Sequence, residues 1–205
     1  VKVFFLLLLL LLCLLPTTYS QETEDSALEA GTFQKIIKSQ DRLGFLFAYG
    51  GQEGLQVAYD YRVIFFQPQV YFLLWEKPRW RLDLLAQPQV NLTHFKPVND
   101  QDRRVHGYEY GLNLGAVITY RLLPQKLTLY ALMSAGPHYV SRVPERQSPG
   151  FIFSDNWFVG LRYRIHSRCW LDFRPGFRHI SNAGLTDRNG GVNNSVLSLG
   201  LMWQR

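Results

Sequence analysis

Between Pro175 and Asn194 the chain reads Pro-Gly-Phe-Arg-His-Ile-Ser-Asn-Ala-Gly-Leu-Thr-Asp-Arg-Asn-Gly-Gly-Val-Asn-Asn. His179 and Ser181 are two residues apart. Side chains at i and i+2 of a strand point to the same side, with Cα atoms roughly 6–7 Å apart. A serine hydroxyl becomes a nucleophile when a neutral imidazole takes its proton, so the pair suits ester hydrolysis. Such chemistry also needs donors for the oxyanion, and Asn182, Gly184 and Asn189 are the candidates. Asparagine and glycine are also common turn formers, so a purely loop-shaping role stands beside that one. Asn193 can hold an imidazole through its carbonyl oxygen, as in the Cys-His-Asn form of the triad. An amide brings no charge to an imidazolium, and the nearby Asp187 falls in the loop.

Nothing else in the chain competes as chemistry. His94, His106 and His166 show no metal-ligand spacing, and His138 in Ala-Gly-Pro-His-Tyr reads as a packed or loop histidine. No metal or cofactor is expected.

These residues must be held by strands. From Arg42 onward the chain alternates apolar and polar residues between turn signals. Eight strands are expected: 42–50, 54–66, 79–94, 107–122, 126–142, 152–166, 169–182 and 193–203. The segment 69–75 either extends the second strand past a bulge near Pro68 or forms a ninth. In 79–94, Trp80, Leu82, Leu84, Ala86, Val90 and Leu92 share one face, and Arg81, Asp83, Gln87, Gln89, Asn91 and Thr93 the other. In 169–182 the odd positions Leu171, Phe173 and Phe177 are apolar and carry His179 and Ser181 with them, unless Pro175-Gly176 shifts the parity. Leu197, Leu199, Leu201 and Trp203 share a face with Asn193. All three polar residues then project outward among apolar ones.

The wider sequence says which kind of β protein this is. Lys2, the apolar run Val3–Leu15 and the small residues to Ser20 read as a signal peptide over 1–20, followed by a flexible leader over 21–41 and a barrel over 42–205. The net charge is +6, without a lysine block, and aromatic residues make up 15% of the chain. An exported chain of that charge suits anionic lipid or glycolipid phosphates rather than nucleic acid. Only Cys169 follows the signal region, so this is not a disulfide scaffold. Tyr108, Tyr110, Tyr120, Trp157, Tyr163 and Trp203 are read as lying near strand ends, where a membrane interface selects aromatics. Tight turns alternate with longer polar loops. The fold class is therefore all-β, an eight-stranded antiparallel transmembrane β-barrel; a soluble lipocalin-like barrel is the alternative. Its interior would hold Arg81, Asp83, Glu109, Arg121, Arg162, Arg164, Asp172, Arg174 and Arg178 as mutual ion pairs, with Asp155 and Glu109 as acidic members.

The string His179-Ile180-Ser181-Asn182-Ala183-Gly184, followed by Asn189-Gly190-Gly191, resembles the lipid A 3-O-deacylase (PagL-type) family, and the strand layout over roughly 42–205 is similar. The resemblance implies an eight-stranded outer-membrane barrel that hydrolyses the ester-linked 3-hydroxyacyl chain of lipid A. It makes Ser181 the nucleophile and His179 the base, and favours Asn189 and the turn near Gly184 for the oxyanion. Where the family carries a glutamate to orient the histidine, this chain has Asn193. Lipopolysaccharide would be the substrate and outer-membrane lipid the surroundings, with the chain a monomer or homodimer. Arg103, Arg104, Arg142 and Arg146 would meet lipid A phosphates or form a solvated loop surface. The rival reading is a non-catalytic structural or lipid-binding outer-membrane barrel that has lost activity.

Overall fold

A computed structural model of the chain describes residues 40–97, 100 and 102–205. The expected signal peptide and all but the last two residues of the expected leader lie outside the described residues.

Alternating sequences of this kind bury one face and expose the other, and here all eight strands close into one antiparallel barrel. They are β1 (Gln40–Gly51), β2 (Asp60–Glu76), β3 (Trp80–Lys96), β4 (Val105–Leu123), β5 (Leu127–Val140), β6 (Gly150–His166), β7 (Cys169–Ser181) and β8 (Val192–Gln204). Each strand pairs with the next, and β1 closes on β8 from Arg42↔Gln204 to Gly51↔Ser195. At one end the strands are joined by the short turns 77–79, 124–126 and 167–168. At the other lie the longer connections 52–59, 97–104, 141–149 and 182–191.

The segment 69–75 belongs to β2. Phe66↔Val90 and Val70↔Ala86 keep one register across Pro68, so no bulge lies there; the irregularity comes later, between Leu73 and Trp75. That register sets Pro68 opposite Pro88, and neither proline has an N–H to donate. β2 also begins six residues later than the sequence suggests. Gln52 folds back instead: its Oε1 accepts from Tyr61 N and its Nε2 donates to Tyr61 O, both at 2.8 Å. A side-chain amide thus stands in for the strand that would continue the ladder.

The outer surface is an apolar band. Leu43, Phe45, Phe47, Val90, Leu92, Leu112, Leu114, Ile118, Val159, Leu161, Leu197 and Leu199 are all exposed. Aromatics ring it at both ends. Trp75, Trp80, Tyr163 and Trp203 stand near the short turns, and Tyr49, Tyr108, Tyr110, Tyr139 and Phe151 near the long loops. This is the surface of a barrel that crosses a membrane. Trp157 is an exception to the expectation: it sits in the middle of β6, opposite Phe177.

The lumen is filled, as an eight-stranded barrel requires. Tyr61, Val63, Phe65, Leu85, Val117 and Ile152 pack among buried charges. Arg178 donates to Glu109 Oε2 at 2.6 Å, and Tyr61 and Asn91 complete that carboxylate's partners. Lower down, Asp172 pairs with Arg162 at 2.8 Å and accepts from the Tyr130 hydroxyl at 2.5 Å. Arg81 bridges Asp83 at 2.7 Å and Asp41 at 2.6 Å. Removing one member of such a pair leaves a buried charge uncompensated, at a cost of about 3–5 kcal/mol. Arg121 and Arg164 reach only the rim, where Arg121 pairs with Glu76.

Candidate active site

β7 carries the site, and its parity holds throughout. The register with β6 runs unbroken from Phe153↔Ser181 to Phe158↔Gly176 and resumes unchanged at Leu161↔Phe173. Pro175-Gly176 introduces no bulge. Trp170, Asp172, Arg174, Arg178 and Ile180 therefore point into the lumen, while Leu171, Phe173, Phe177, His179 and Ser181 face out. Across the other ladder His179 stands directly opposite Asn193.

This juxtaposition forms a hydrogen bond. His179 Nδ1 lies 2.6 Å from Asn193 Oδ1. An amide oxygen only accepts, so Nδ1 carries the proton and Nε2 is left as the basic nitrogen. The ring is also backed by Gly191, whose φ is +65°. A Cβ at Gly191 would lie 2.6 Å from His179 Cε1 and 3.2 Å from Nε2. Only glycine fits that place, both for its backbone angle and for the imidazole beside it. Ser181 is almost covered, at 5% exposure, and makes no hydrogen bond to His179 in this resting geometry. Contacts of this type often close only around substrate.

Asn193 is itself held from two sides. Its N–H donates to the Tyr59 hydroxyl at 2.7 Å, and its carbonyl accepts from Gln52 Nε2 at 3.1 Å. The Arg146 guanidinium lies over the Tyr59 ring, 5.0 Å from its centroid. The loop 52–59 thus fixes the start of β8, and through it the orientation of His179.

After Ser181 the chain turns sharply. Leu185 N donates to Asn182 O at 3.0 Å, and Ala183 and Gly184 both have positive φ, +55° and +84°. That is a type I′ turn, with an alanine in a conformation that costs about 1–2 kcal/mol outside glycine. Asn182 holds the loop together. Its side-chain nitrogen donates to Thr186 Oγ1 and, at 3.1 Å, to Arg188 O, while its Oδ1 accepts from Gly184 N at 3.0 Å. The donors of Asn182 and Gly184 are thereby engaged within the loop. In this arrangement the two residues form a clasp across the turn. Asn189, which is exposed, accepts from Asn182 N at 2.9 Å through its Oδ1, and its NH2 group donates to no other described residue.

The loop is also zipped to its neighbour. Gly190 N donates to Arg146 O at 2.8 Å, Ser148 N to Arg188 O at 2.9 Å, and Gly191 N to Gln147 Oε1 at 3.0 Å. Arg146 is therefore built into the site's frame. Among the described residues no group of three or more histidine, cysteine or acidic side chains is placed to hold a metal ion.

One residue was misplaced by the sequence reading. Asp155, expected as an interior ion-pair member, lies at an odd position of β6 and faces outward, directly opposite His179 in the β6/β7 ladder. Among the described residues it forms no ion pair within 4 Å, and it is mostly covered. His179 thus has Asn193 on one neighbouring strand and a carboxylate on the other. Glu109, the second residue so expected, is in the lumen as anticipated. His138 is interior, with Nε2 at 3.0 Å from Asn113 Oδ1.

Comparison with known proteins agrees with this architecture. The chain is similar to the crystal structure of the outer membrane enzyme PagL, at 15% identity and a TM-score of 0.58, over 77% of this chain and 97% of that one. Weaker likenesses include Neisserial surface protein A, at 15% identity and TM-score 0.43 over 81% and 96%. Another is Ail of Yersinia pestis, at 12% and 0.40 over 81% and 99%. No curated protein matches the sequence. The model of one family, lipid A 3-O-deacylase (PagL), matches residues 53–202, a span that contains His179, Ser181 and Asn193. The chain belongs to the lipid A 3-O-deacylase family.

Proposed function

We propose that this chain is an outer-membrane carboxylic ester hydrolase that removes the ester-linked 3-hydroxyacyl chain from lipid A. The observation that carries the reading is the 2.6 Å bond from His179 Nδ1 to Asn193 Oδ1, made on the apolar outer face of the barrel near its long-loop end. Polar side chains on a lipid-facing surface are costly and mark function. The long loops of such barrels face the cell exterior, which puts the site at the level of the outer leaflet, where an acylated glycolipid is approached sideways.

In this mechanism Ser181 Oγ attacks the ester carbonyl while His179 Nε2 takes its proton. The oxyanion receives a hydrogen bond from the side-chain amide of Asn189, its Oδ1 being held by Asn182 N. Collapse of the tetrahedral intermediate expels the sugar hydroxyl, which regains a proton from Nε2, and leaves the acyl group on Ser181. Water, deprotonated by the same nitrogen, releases the fatty acid. Asn193 holds the ring in the productive tautomer. The negative charge beside the transient imidazolium comes from Asp155 across the ladder.

Mass spectrometry of lipid A from cells with and without the protein tests the reading. The wild-type chain should remove one hydroxyacyl group, and Ser181→Ala should leave lipid A intact. Deacylation that persists in Ser181→Ala would overturn the assignment. The amide at position 193 favours one other reading, a barrel that keeps the motif without turnover; lipid A unchanged by the wild-type chain would support it.

A further inference from the structure

The end of the barrel away from His179 holds a second feature. A cavity of about 580 Å³ opens between the short turns and runs into the lumen. Arginine dominates its wall: Arg42, Arg81, Arg121, Arg162, Arg164, Arg168 and Arg205 line it, and among the described residues no acidic side chain does so. The acids nearby are already engaged. Asp83 and Asp41 serve Arg42 and Arg81, Glu76 serves Arg121 and Arg81, and Asp172 serves Arg162. Arg164 and Arg168 have no acidic partner within 4 Å among the described residues. Arg164 instead donates to the carbonyls of His166, Ser167 and Gln125.

The wall also holds donors without acceptors. Arg42 Nε, Arg162 Nη1 and Trp170 Nε1 are buried and meet no hydrogen-bond partner among the described residues, and the hydroxyls of Thr119 and Thr128 share that condition. All five belong to residues that line the cavity, and each residue is more than nine-tenths buried. A buried donor left unsatisfied costs about 1–3 kcal/mol. Water can satisfy such donors, but it leaves the surplus positive charge uncompensated. An oxyanion answers both demands, and guanidinium forks match phosphate oxygens in pairs.

We propose that this mouth is an anion site that takes a phosphate group, separate from the catalytic face and independent of the deacylase reading. The short-turn end of such barrels faces the periplasm, and Trp80 and Trp203 of the lower aromatic ring mark that same end on the outer face. Two sources present this chemistry there: a soluble phosphate compound, or the anionic headgroup of an inner-leaflet phospholipid.

The test uses the full chain and the double substitution Arg164→Gln/Arg168→Gln, which touches rim residues and leaves the lumen ion pairs in place. Thermal unfolding is followed in zwitterionic detergent with inorganic pyrophosphate, against sodium chloride at equal ionic strength. It is then followed in nanodiscs of phosphatidylcholine with and without phosphatidylglycerol. Stabilisation of the wild-type chain by pyrophosphate, with at least a fivefold weaker apparent Kd in the double variant, supports the site and identifies the soluble source. Stabilisation by phosphatidylglycerol alone, lost in the variant, supports it with the headgroup as source. Equal effects of chloride and pyrophosphate, or equal responses of variant and wild type in both arms, overturn it.

Discussion

Two histidines of this barrel lie on opposite sides of the same wall. His138 points into the lumen, is 2% exposed, and sits beside Asn113 and Gln89. His179 points outward, bonded to Asn193, with Gly191 packed against its ring. Both rings touch an amide, so the difference is not in hydrogen bonding. It lies in what the surroundings supply. In the lumen a polar group is one of many, and the packing there is the reason it is kept. On the outer face it stands in an apolar band where nothing structural calls for it.

The largest expected effect separates these two roles. His179→Ala should lower hydroxyacyl release by about 10⁴-fold or more, since base and nucleophile act as a unit, with the barrel's melting temperature unchanged. His138→Ala should do the reverse. Asn113 and Gln89 lose a partner, stability falls by about 1–3 kcal/mol, and the rate is preserved. Release assays and thermal unfolding on both variants check this; a rate loss in His138→Ala matching that in His179→Ala would dissolve the distinction.

A smaller effect tests the packing around the outward ring. Gly191→Ala places a methyl 2.6 Å from His179 Cε1, so the imidazole must swing away from Asn193 or the loop must open. Misplacement of a catalytic group by about 1 Å costs roughly 10²-fold. The expected result is that loss in kcat with unfolding little changed. A wild-type rate would show that the ring is free to move.

Much of this was legible in the sequence because strand parity is a strict rule. The apolar odd positions Leu171, Phe173 and Phe177 placed His179 and Ser181 outward, and the unbroken β7 register kept them there. What was not legible depended on register between strands. Asp155 shares the odd positions of Trp157, Val159 and Leu161, so parity alone turned it outward. Its placement opposite His179 was the part that needed the pairing of β6 with β7. The late start of β2 was hidden for a similar reason, because it depends on Gln52 filling a ladder position from a loop. The zipper between Gln147 and Asn189 joins segments some forty residues apart, so no local pattern announces it. It decides which amides remain available beside Ser181.

The smallest predicted effect concerns Asp155. In the proposed mechanism, proton transfer from Ser181 would make His179 an imidazolium on a surface of low dielectric, and Asn193 would supply no charge to meet it. Under that proposal Asp155 would do so from the opposite ladder, where it pairs with His179. At an effective dielectric of about 20 and a separation of about 7 Å, that attraction is worth about 2 kcal/mol, or roughly 30-fold in rate. Asp155→Asn keeps the shape, so kcat should fall by about that factor while KM holds. Asn193→Glu should raise kcat in the wild-type chain and restore most of it in the Asp155→Asn background, because a carboxylate on either neighbouring strand reaches the same ring. If Asp155→Asn turns over at the wild-type rate, the imidazolium is carried without a counter-charge and the carboxylate only fills its place in the wall. If Asn193→Glu rescues the variant, the two strands flanking β7 are interchangeable sources of one charge, which separates the orienting role of residue 193 from the electrostatic role of residue 155.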